Sequence, residues 1–375
     1  MPEPTDEAPK GAPRAVDGAN DGRSPARRSV RLLISSVALL CGFAWLLHAG
    51  GLPLLPPKGA FEAMDLGYIA GFAALNLVQQ LLRFARCHFL IAPIARLSLR
   101  RLMTINGIAL ALITFLPLRI GEVSRPAMLR EKGHLSAWAV TGTVGAERIL
   151  DGVMFSLMLL LGLALAHPHE PLPSHIGDLP VPASLIPRVA RLACLGFAAA
   201  FALMAAFYWH RALARKITER VVGVVSQRLA QRLADVVASL SDGLRFLRDP
   251  RYTLPYIGVS VVATLSHVWA MLLLAHGVGI PELTFVESMV VVGFLALGFG
   301  MPNAPGFFGT VQLALYGGLA VYIAPDKVVH AGAAFVFLFY AVYLAQVVVL
   351  AAISAAVEYA SPSDSATSGA LPGHV

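Results

Sequence analysis

Long apolar segments recur along the chain, and they constrain its fold more than any other feature. Six of them cover about residues 32 to 49, 66 to 88, 138 to 166, 189 to 209, 252 to 279 and 329 to 357. A helix of roughly 20 apolar residues crosses the hydrocarbon core of a bilayer. The chain is 57% hydrophobic and only 14% charged, which is too apolar for an ordinary water-soluble domain. The sequence therefore predicts an all-α polytopic membrane protein with about six spanning helices.

Two further apolar stretches are interrupted by proline and glycine. They cover about residues 102 to 135 and 284 to 323. Pro117 precedes Gly121 by four residues in the first, and Pro302 precedes Gly306 by four residues in the second. Non-helical backbone at membrane depth is tolerated only inside protein or beside a watery cavity. We therefore expect two re-entrant helical hairpins, with kinked but continuous helices as the alternative.

The distribution of Lys and Arg predicts the orientation, because these residues gather in cytoplasmic segments. Residues 1–31 contain six of them, residues 83–101 contain five and residues 211–251 contain nine. The five in the second segment are Arg83, Arg86, Arg96, Arg100 and Arg101. The proposed outer loops, residues 50–65, 167–187 and 280–287, contain only Lys58. This pattern predicts a cytosolic N-terminus, and six spans return the C-terminus to the same side.

The order of the segments repeats. Two spans, a broken hairpin and a span fill residues 32–166, and the same order fills residues 189–357 from the opposite side of the membrane. Loop 167–188 joins the two halves. Many transporters are built from such inverted repeats and place the substrate site where broken helices meet near the midplane.

Three segments lie outside this repeat. Residues 1–31 are rich in Pro, Gly, Ala and charge, so a disordered cytosolic segment is expected there, and residues 359–375 are expected to form a disordered tail. Residues 211–251 alternate apolar and charged positions at near-helical spacing. They predict an amphipathic cytosolic helix on anionic lipid, or a solvated connector between the halves.

Charged residues mark the first break. Arg119, Glu122 and Arg125 are spaced by threes and would share one face if the backbone were helical there. Asn106 precedes them within the same stretch. One carboxylate between two guanidinium groups leaves a net positive charge, which suits a phosphate.

Three more charges, Glu147, Arg148 and Asp151, begin the third strong span. Their spacing predicts that they converge toward the interior of the bundle. In one interpretation Arg148 holds a headgroup phosphate while Glu147 or Asp151 carries a proton. In the other, the three residues form a closed ion-pair lock between helices.

The second break is uncharged and contains Pro302, Asn303, Pro305 and Gly306, with Gln312 following. It is expected to form the outer wall of the same cavity, or else a tight turn in a short hairpin.

Several site classes are not indicated. The basic residues lie between apolar runs and form no patch suited to nucleic acid. Cys41, Cys87 and Cys194 are far apart, so neither a disulfide nor a metal site is expected. His167, His169, His175 and Glu170 are interpreted as a solvated loop, and His267 as a packed histidine. No phosphate loop, nucleophile elbow or HExxH is present, so neither a cofactor nor enzymatic activity is expected.

The ordered set of motifs resembles the transmembrane domain of the lysylphosphatidylglycerol synthetase family, also called the flippase-like domain, over about residues 30 to 358. The set is Asn106, then Pro117-x-Arg119-x-Gly121-Glu122-x-x-Arg125, then Glu147-Arg148-x-x-Asp151, and Pro302-x-x-Pro305-Gly306-x-x-Gly309. The resemblance implies a bacterial cytoplasmic membrane protein that moves lipid between leaflets. In bifunctional members a separate C-terminal domain makes the aminoacylated lipid. Synthetase activity is not expected here.

The resemblance leaves the lipid open, since stand-alone relatives are linked to hopanoids, isoprenoids and glycolipids. The leading hypothesis is a lipid translocator or lipid-binding protein handling an anionic or isoprenoid/hopanoid-type lipid. Arg119, Arg125 and Arg148 would engage the headgroup. One alternative is a non-transporting scaffold for lipid-biosynthesis proteins. Another is an intramembrane lipid-headgroup enzyme with Glu147 and Asp151 as an acid-base pair.

Overall fold

The computed structural model describes most of the apolar segments. The described residues are 25–57, 59–62, 64–116, 121–166, 175–176, 179–180, 186–209, 245–301 and 304–360. The terminal segments through residue 24 and from residue 361, together with most of the predicted amphipathic segment 211–251, lie outside these ranges.

Eleven α-helices account for most of the described chain. In order they are α1 (Pro25–Ala49), α2 (Leu66–Ile91), α3 (Leu99–Phe115), α4 (Ser124–Gly133), α5 (Ala137–Leu165), α6 (Ile186–Trp209), α7 (Pro250–Gly277), α8 (Phe285–Gly300), α9 (Thr310–Ala320), α10 (Pro325–Val329) and α11 (Ala331–Tyr359). Two short strands, β1 (His175–Ile176) and β2 (Leu179–Pro180), pair antiparallel between α5 and α6. The expected helical architecture is confirmed apart from this small pair.

Each of the six strongly apolar segments contains a helix. These helices are α1, α2, α5, α6, α7 and α11. Three described stretches are long and apolar enough to cross a membrane: Ala137–Leu165, Pro250–Gly277 and Pro325–Tyr359. Shorter apolar helical stretches are Ile34–Ala49, Arg191–Ala202 and Phe285–Gly300.

Polar side chains fix where several helices begin. The Asp65 carboxylate accepts a 2.7 Å hydrogen bond from the Gly67 amide at the start of α2, and Asp249 caps α7 in the same way. At the start of α8, Thr284 and Glu287 exchange side-chain and backbone hydrogen bonds. Each residue satisfies an amide that has no partner within the helix.

The first interrupted stretch turns back on itself. Gly121 packs so tightly on the last turns of α3 that a Cβ there would overlap the Leu112 carbonyl group. Glu358, near the end of α11, contacts both helices of this stretch, α3 and α4. Its carboxylate lies 3.4 Å from Thr104 Oγ1 on α3 and 2.6 Å from Lys132 Nζ on α4. The start of α3 and the end of α4 therefore lie side by side.

The second interrupted stretch also reverses direction. A Cβ on Gly298 of α8 would lie 2.6 Å from the Ala314 Cβ of α9, so the two helices pack closely. Beyond α9, Lys327 Nζ lies 2.6 Å from Oε1 of Glu282, which precedes α8. The chain after α9 has thus returned to the level at which α8 began.

Two glycines shape the turn between α8 and α9. Gly306 has φ of 76° and Gly309 has φ of 85°, in the left-handed region that favours glycine. The buried Gly309 amide donates a 2.7 Å hydrogen bond to Gln312 Oε1. The break therefore satisfies this amide within the protein, and the Gln312 oxygen is engaged there.

Three helix pairs organise the bundle. Helix α2 runs antiparallel to α7, from the Asp65 amide bonded to the Gly277 carbonyl to Arg86 bonded to Ser260. Helix α3 packs on α11, and α8 packs on α5. The first helix of each interrupted stretch thus lies against the last long helix of the other half.

Candidate functional site

Arg86 on α2 is the centre of a buried ion-pair cluster. Its side chain is 2% exposed, and its Nη2 donates hydrogen bonds of 2.6 Å to Asp151 Oδ2 and 3.1 Å to Glu147 Oε1 on α5. Its Nη1 donates to Ser260 Oγ on α7 at 3.0 Å, and its guanidinium lies 5.3 Å from the ring centre of Tyr256. A buried charge requires such partners. The cluster joins α2, α5 and α7.

Arg125 extends this cluster to α4. Its Nη1 donates a 2.6 Å hydrogen bond to Glu147 Oε2, and its Nη2 lies 3.1 Å from Cys87 Sγ. Both carboxylate oxygens of Glu147 are therefore bound by guanidinium groups, one from each of two helices. Cys87 is buried, and its Sγ accepts the hydrogen bond from Arg125.

Two further arginines have looser partners. Arg83 Nη2 lies 3.7 Å from Asp151 Oδ2, and its side chain is 33% exposed. Arg148 Nη2 lies 3.3 Å from Glu122 Oε1, with 46% of its side chain exposed. These two guanidinium groups retain free surface for a ligand.

The structure brings together most of the predicted charged residues. Glu147 and Asp151 converge in the interior as expected and form ion pairs between helices, but their partners are Arg86 and Arg125 and not Arg148. The expectation that Arg148 is drawn inward with them is wrong in part, because its side chain remains half-exposed beside Glu122. Arg119 lies outside the described residues.

Sequence reasoning counted Arg83 and Arg86 among the basic residues of a cytoplasmic segment and did not name them as site residues. Both belong to helix α2, which continues to Ile91, and Arg86 is among its most buried side chains. The count over residues 83–101 did not separate the end of the predicted span from the residues beyond it. The sequence signal was present: Asn76, Gln79, Arg83 and Arg86 recur at helical spacing and form a polar stripe on an otherwise apolar helix.

A cavity of about 590 Å³ lies beside the cluster. Its charged lining residues are Arg83, Arg125, Glu147, Arg148 and Asp151. Together with Arg86 and Glu122, which form ion pairs with these residues, the described charges are four guanidinium groups and three carboxylates, one positive charge in excess. A site of this size and charge suits part of an anionic ligand.

Neutral polar side chains line the cavity next to the charges. They are Asn76, Gln79, Gln80, Asn106, Ser156 and Gln346. The Asn106 amide nitrogen donates to the Leu102 carbonyl of its own helix at 2.7 Å, so the predicted residue is present but partly engaged. Asn76 donates to Gln346 at 2.9 Å and joins α2 to α11.

Aromatic side chains form another wall of the cavity. Phe307 is placed there by the turn through Pro305 and Gly306, and its ring centre lies 4.9 Å from that of Phe299. Tyr343, on α11, contacts both rings and shares a 3.1 Å hydrogen bond with Thr114. The second interrupted stretch therefore contributes Phe299, Gly300 and Phe307 to the wall of this cavity, whereas the predicted residues Pro305 and Gly306 shape the turn and do not line it.

Other residues singled out in the second break and the loops have mixed outcomes. Pro302 and Asn303 lie outside the described residues, as do His167 and His169. His267 is buried and stacked on Phe339, with ring centres 6.4 Å apart, which confirms it as a packed histidine. No group of three potential metal ligands occurs within the described ranges.

Comparisons with known proteins give one match. The sequence profile described as lysylphosphatidylglycerol synthase TM region matches residues 29–351, which is most of the chain. No curated protein and no solved structure matches.

Proposed function

The chain belongs to the family of the lysylphosphatidylglycerol synthase TM region, and from this premise we propose that it binds an anionic membrane lipid and moves it between leaflets. Family membership and the apolar helices make it a multi-pass membrane protein connected with lipid handling. The lipid class, the movement and the orientation are parts of the proposal.

The cavity carries this proposal. It combines a charged end, with a positive charge in excess, and an aromatic wall contributed by α8, α11 and the turn before α9. A phospholipid has the same two-part character, because its phosphate is anionic and its chains are apolar. A small soluble anion has no apolar part that would contact the aromatic wall.

Arg83 and Arg148 are proposed to bind the headgroup phosphate. Their side chains are the most exposed of the arginines that line the cavity, whereas Arg125 is held by Glu147 and Cys87. Guanidinium groups bind phosphate oxygens through paired hydrogen bonds. Arg119, which follows Pro117 in the first interrupted stretch, is proposed as a further cationic contact.

The packing of the helices supports an inverted repeat. The partner of α3 is α11, and the partner of α8 is α5, so the two halves exchange equivalent contacts. The central pair, α2 and α7, consists of the second long helix of each half. We propose that the two interrupted stretches are re-entrant hairpins, and that rocking of one half against the other exposes the cavity alternately.

The remaining parts of the proposal concern location and chemistry. We place the protein in a bacterial cytoplasmic membrane with both termini cytosolic. We assign no catalytic step: both carboxylates that would serve as an acid-base pair, Glu147 and Asp151, are bound by Arg86.

The test is a leaflet-resolved assay in proteoliposomes that contain the full chain. The probes are fluorescent phosphatidylglycerol and, as a zwitterionic comparison, fluorescent phosphatidylcholine. We expect Arg83→Gln and Arg148→Gln to slow movement of phosphatidylglycerol at least about tenfold, the effect of losing one charged contact of about 1.5–3 kcal/mol. Arg96→Gln, which alters an exposed arginine outside the cavity, is the matched control. Equal movement by all three variants would overturn the assignment.

A further inference from the structure

Three residues that line the cavity are also exposed. They are Arg148 on α5, Phe197 on α6 and Gly300 at the end of α8, and the other lining residues are buried or only partly exposed. A residue that both lines a cavity and is exposed marks the place where the cavity reaches the surface. Arg148, Phe197 and Gly300 thus define an opening of the cavity.

The packing of α5 on α8 fixes the position of this opening. A Cβ on Gly162 of α5 would lie 2.7 Å from a methyl group of Val290, and a Cβ on Gly293 of α8 would lie 2.8 Å from Leu159. The contact moves toward the start of α5 as it moves toward the end of α8. The two helices are therefore antiparallel and in close contact.

The same register brings the end of α8 beside Gly152. Gly152 precedes Leu159 by seven residues, and Gly300, the last residue of α8, follows Gly293 by seven. Because α8 ends at this level, it does not cover α5 further toward Arg148, which lies about one turn before Gly152. The cavity is therefore open between Arg148 and the end of α8.

Helix α6 forms the other side of the opening. It packs against α5, and a Cβ on Gly152 would overlap the ring of Phe197, so this ring lies directly on Gly152. Gly152 is near the middle of α5, which is long and apolar enough to cross a membrane. An opening near the middle of a spanning helix faces hydrocarbon and not water.

The end of α3 lies beside the opening as well. Glu122 is 3.3 Å from Arg148, and Gly121, which precedes Glu122, packs on Leu112 in the last turns of α3. Leu116 follows Leu112 by one turn. The first interrupted stretch therefore supplies the remaining edge.

Exposed apolar side chains are found on three of these edges. Phe197 is 36% exposed, Leu116 after the end of α3 is 39% exposed, and Met301 after the end of α8 is 56% exposed. Neighbouring exposed apolar residues mark a surface that contacts lipid or a partner. Here they adjoin the guanidinium group of Arg148, so apolar and cationic contacts meet at one opening.

The cavity is too small to enclose a whole phospholipid. Its volume of about 590 Å³ is that of a site for a drug-sized molecule. A phospholipid with two long acyl chains is larger than such a molecule. When its headgroup is bound in the cavity, most of its chains lie outside.

We infer that the acyl chains of the bound lipid leave the cavity through this opening and lie in the bilayer along Leu116, Phe197 and Met301, while the headgroup stays inside at Arg148. The inference rests on the proposed function and adds how the lipid is held. The protein then selects the headgroup and not the chain length, because the chain ends contact bilayer lipid. Helix α6 becomes part of the binding site through Phe197.

The test is photolabelling of the full chain in phosphatidylcholine vesicles. The probe is a trace of phosphatidylglycerol with a diazirine in the middle of one acyl chain, and mass spectrometry identifies the labelled residues. We expect labelling at Phe197, Leu116 and Met301, and its loss when excess unlabelled phosphatidylglycerol is added. The same excess of phosphatidylcholine should not displace it. Leu157 and Leu161, exposed on α5 but outside the cavity lining, report bulk lipid and should keep their labelling in both cases.

A variant connects the labelling to the headgroup contact. We expect Arg148→Gln to reduce the displaceable labelling at Phe197 at least about tenfold, the effect of losing one charged contact. Arg96→Gln, an exposed arginine outside the cavity, is the matched control and should keep that labelling. Labelling at Leu157 should be the same in both variants, because bulk lipid does not depend on the cavity.

Chain length provides a second measurement. Dimyristoleoyl and dioleoyl phosphatidylglycerol share a headgroup and differ in the length of their chains. Each competes with a fluorescent lipid for the full chain in nanodiscs. We expect the two lipids to bind equally, because the extra methylene groups stay in the bilayer. A closed, packed cavity would bind the longer lipid more weakly, because it has no room for those groups.

The outcomes separate the two proposals. Displaceable labelling confined to enclosed lining residues such as Leu295 and Phe339, or weaker binding of the longer lipid, overturns the exit of the chains and leaves the anionic site standing. Absence of any labelling that phosphatidylglycerol displaces in preference to phosphatidylcholine overturns the proposed function itself. Labelling of the unaltered chain decides the inference even if a variant fails to fold.

Discussion

Arg86 Nη2 lies 2.6 Å from Asp151 Oδ2 inside the bundle, with side chains only 2% and 11% exposed. Lys327 and Glu282 are separated by the same 2.6 Å, but their side chains are 49% and 37% exposed. The two ion pairs have equal N···O distances and unequal solvation. They therefore separate the effect of burial from the effect of distance.

Removing the buried cation is expected to destabilise the protein far more than removing the exposed one. Arg86→Met leaves Asp151 and Glu147 buried with fewer partners, and we expect the free energy of unfolding to fall by about 3–5 kcal/mol. Lys327→Met should lower it far less, because a solvent-exposed ion pair contributes little to stability. Unfolding of each variant in mixed micelles, followed by far-ultraviolet circular dichroism, measures both values.

The double variant Arg86→Met with Asp151→Asn provides the internal control. It removes the carboxylate that loses its closest partner, so part of the lost stability should return. A fall of less than about 1 kcal/mol for Arg86→Met alone, similar to that for an exposed pair, would contradict a structural role for this cluster.

The helices were predictable because apolar length and Pro/Gly interruptions are local properties of the chain. Helices α3 and α4 match the first interrupted stretch, and α8 and α9 match the second. Hydropathy does not reveal which helices touch. The contact of Glu358 with both Thr104 and Lys132 joins residues more than 200 positions apart. Such pairing depends on packing that no local pattern contains.

The candidate site was predicted only in part, because the sequence shows unusual residues within a span but not the contacts between helices. Glu147 and Asp151 stood out because carboxylates are rare within apolar spans. Arg83 and Arg86 did not, because they lie near the end of α2 where basic residues are ordinary in a loop. Only the pairing of α2 with α5 and α7 shows that Arg86 forms ion pairs with both carboxylates.

Gly121 is expected to be essential for the return of the first interrupted stretch. A Cβ there would overlap the backbone of Leu112, which cannot move aside as a flexible side chain does. We expect Gly121→Ala to lower the free energy of unfolding by about 1–3 kcal/mol. Thermal unfolding of the detergent-solubilised protein gives the comparison.

Gly145→Ala is the matched control for that substitution. Gly145 lies within α5, and apart from its chain neighbours and the adjoining backbone of that helix no atom lies within 4 Å of the position that its Cβ would take. Because alanine favours helix over glycine, this variant should gain up to about 1 kcal/mol. Equal effects of the two substitutions would contradict the close approach at Gly121.

The two interrupted stretches are expected to open toward opposite faces of the membrane. Cysteines introduced in a background without native cysteines at Arg100 and Glu131, at the two ends of the first stretch, should react with an impermeant maleimide from one face only. Cysteines at Glu282 and Asp326, which flank the second stretch, should react only from the other face. All four residues are exposed. Labelling of Arg100→Cys and Glu131→Cys from opposite faces would show that the first stretch crosses the membrane.

Gln312 is expected to hold the turn between α8 and α9, because its Oε1 is the acceptor for the buried Gly309 amide. Gln312→Leu keeps a side chain of similar size and removes the acceptor. An unpaired buried amide costs about 1–3 kcal/mol. That cost should appear locally, since Gly309 belongs to a short non-helical segment that opens without unfolding the long helices. Hydrogen exchange of peptides covering residues 304–315 should accelerate roughly five- to a hundredfold, which corresponds to that free energy.

Ser266→Ala is the control. It removes a hydroxyl that donates to the Val262 carbonyl of its own helix, so it should leave exchange in residues 304–315 unchanged. If Gln312→Leu also left it unchanged, the turn would be held by its two positive-φ glycines and their packing alone.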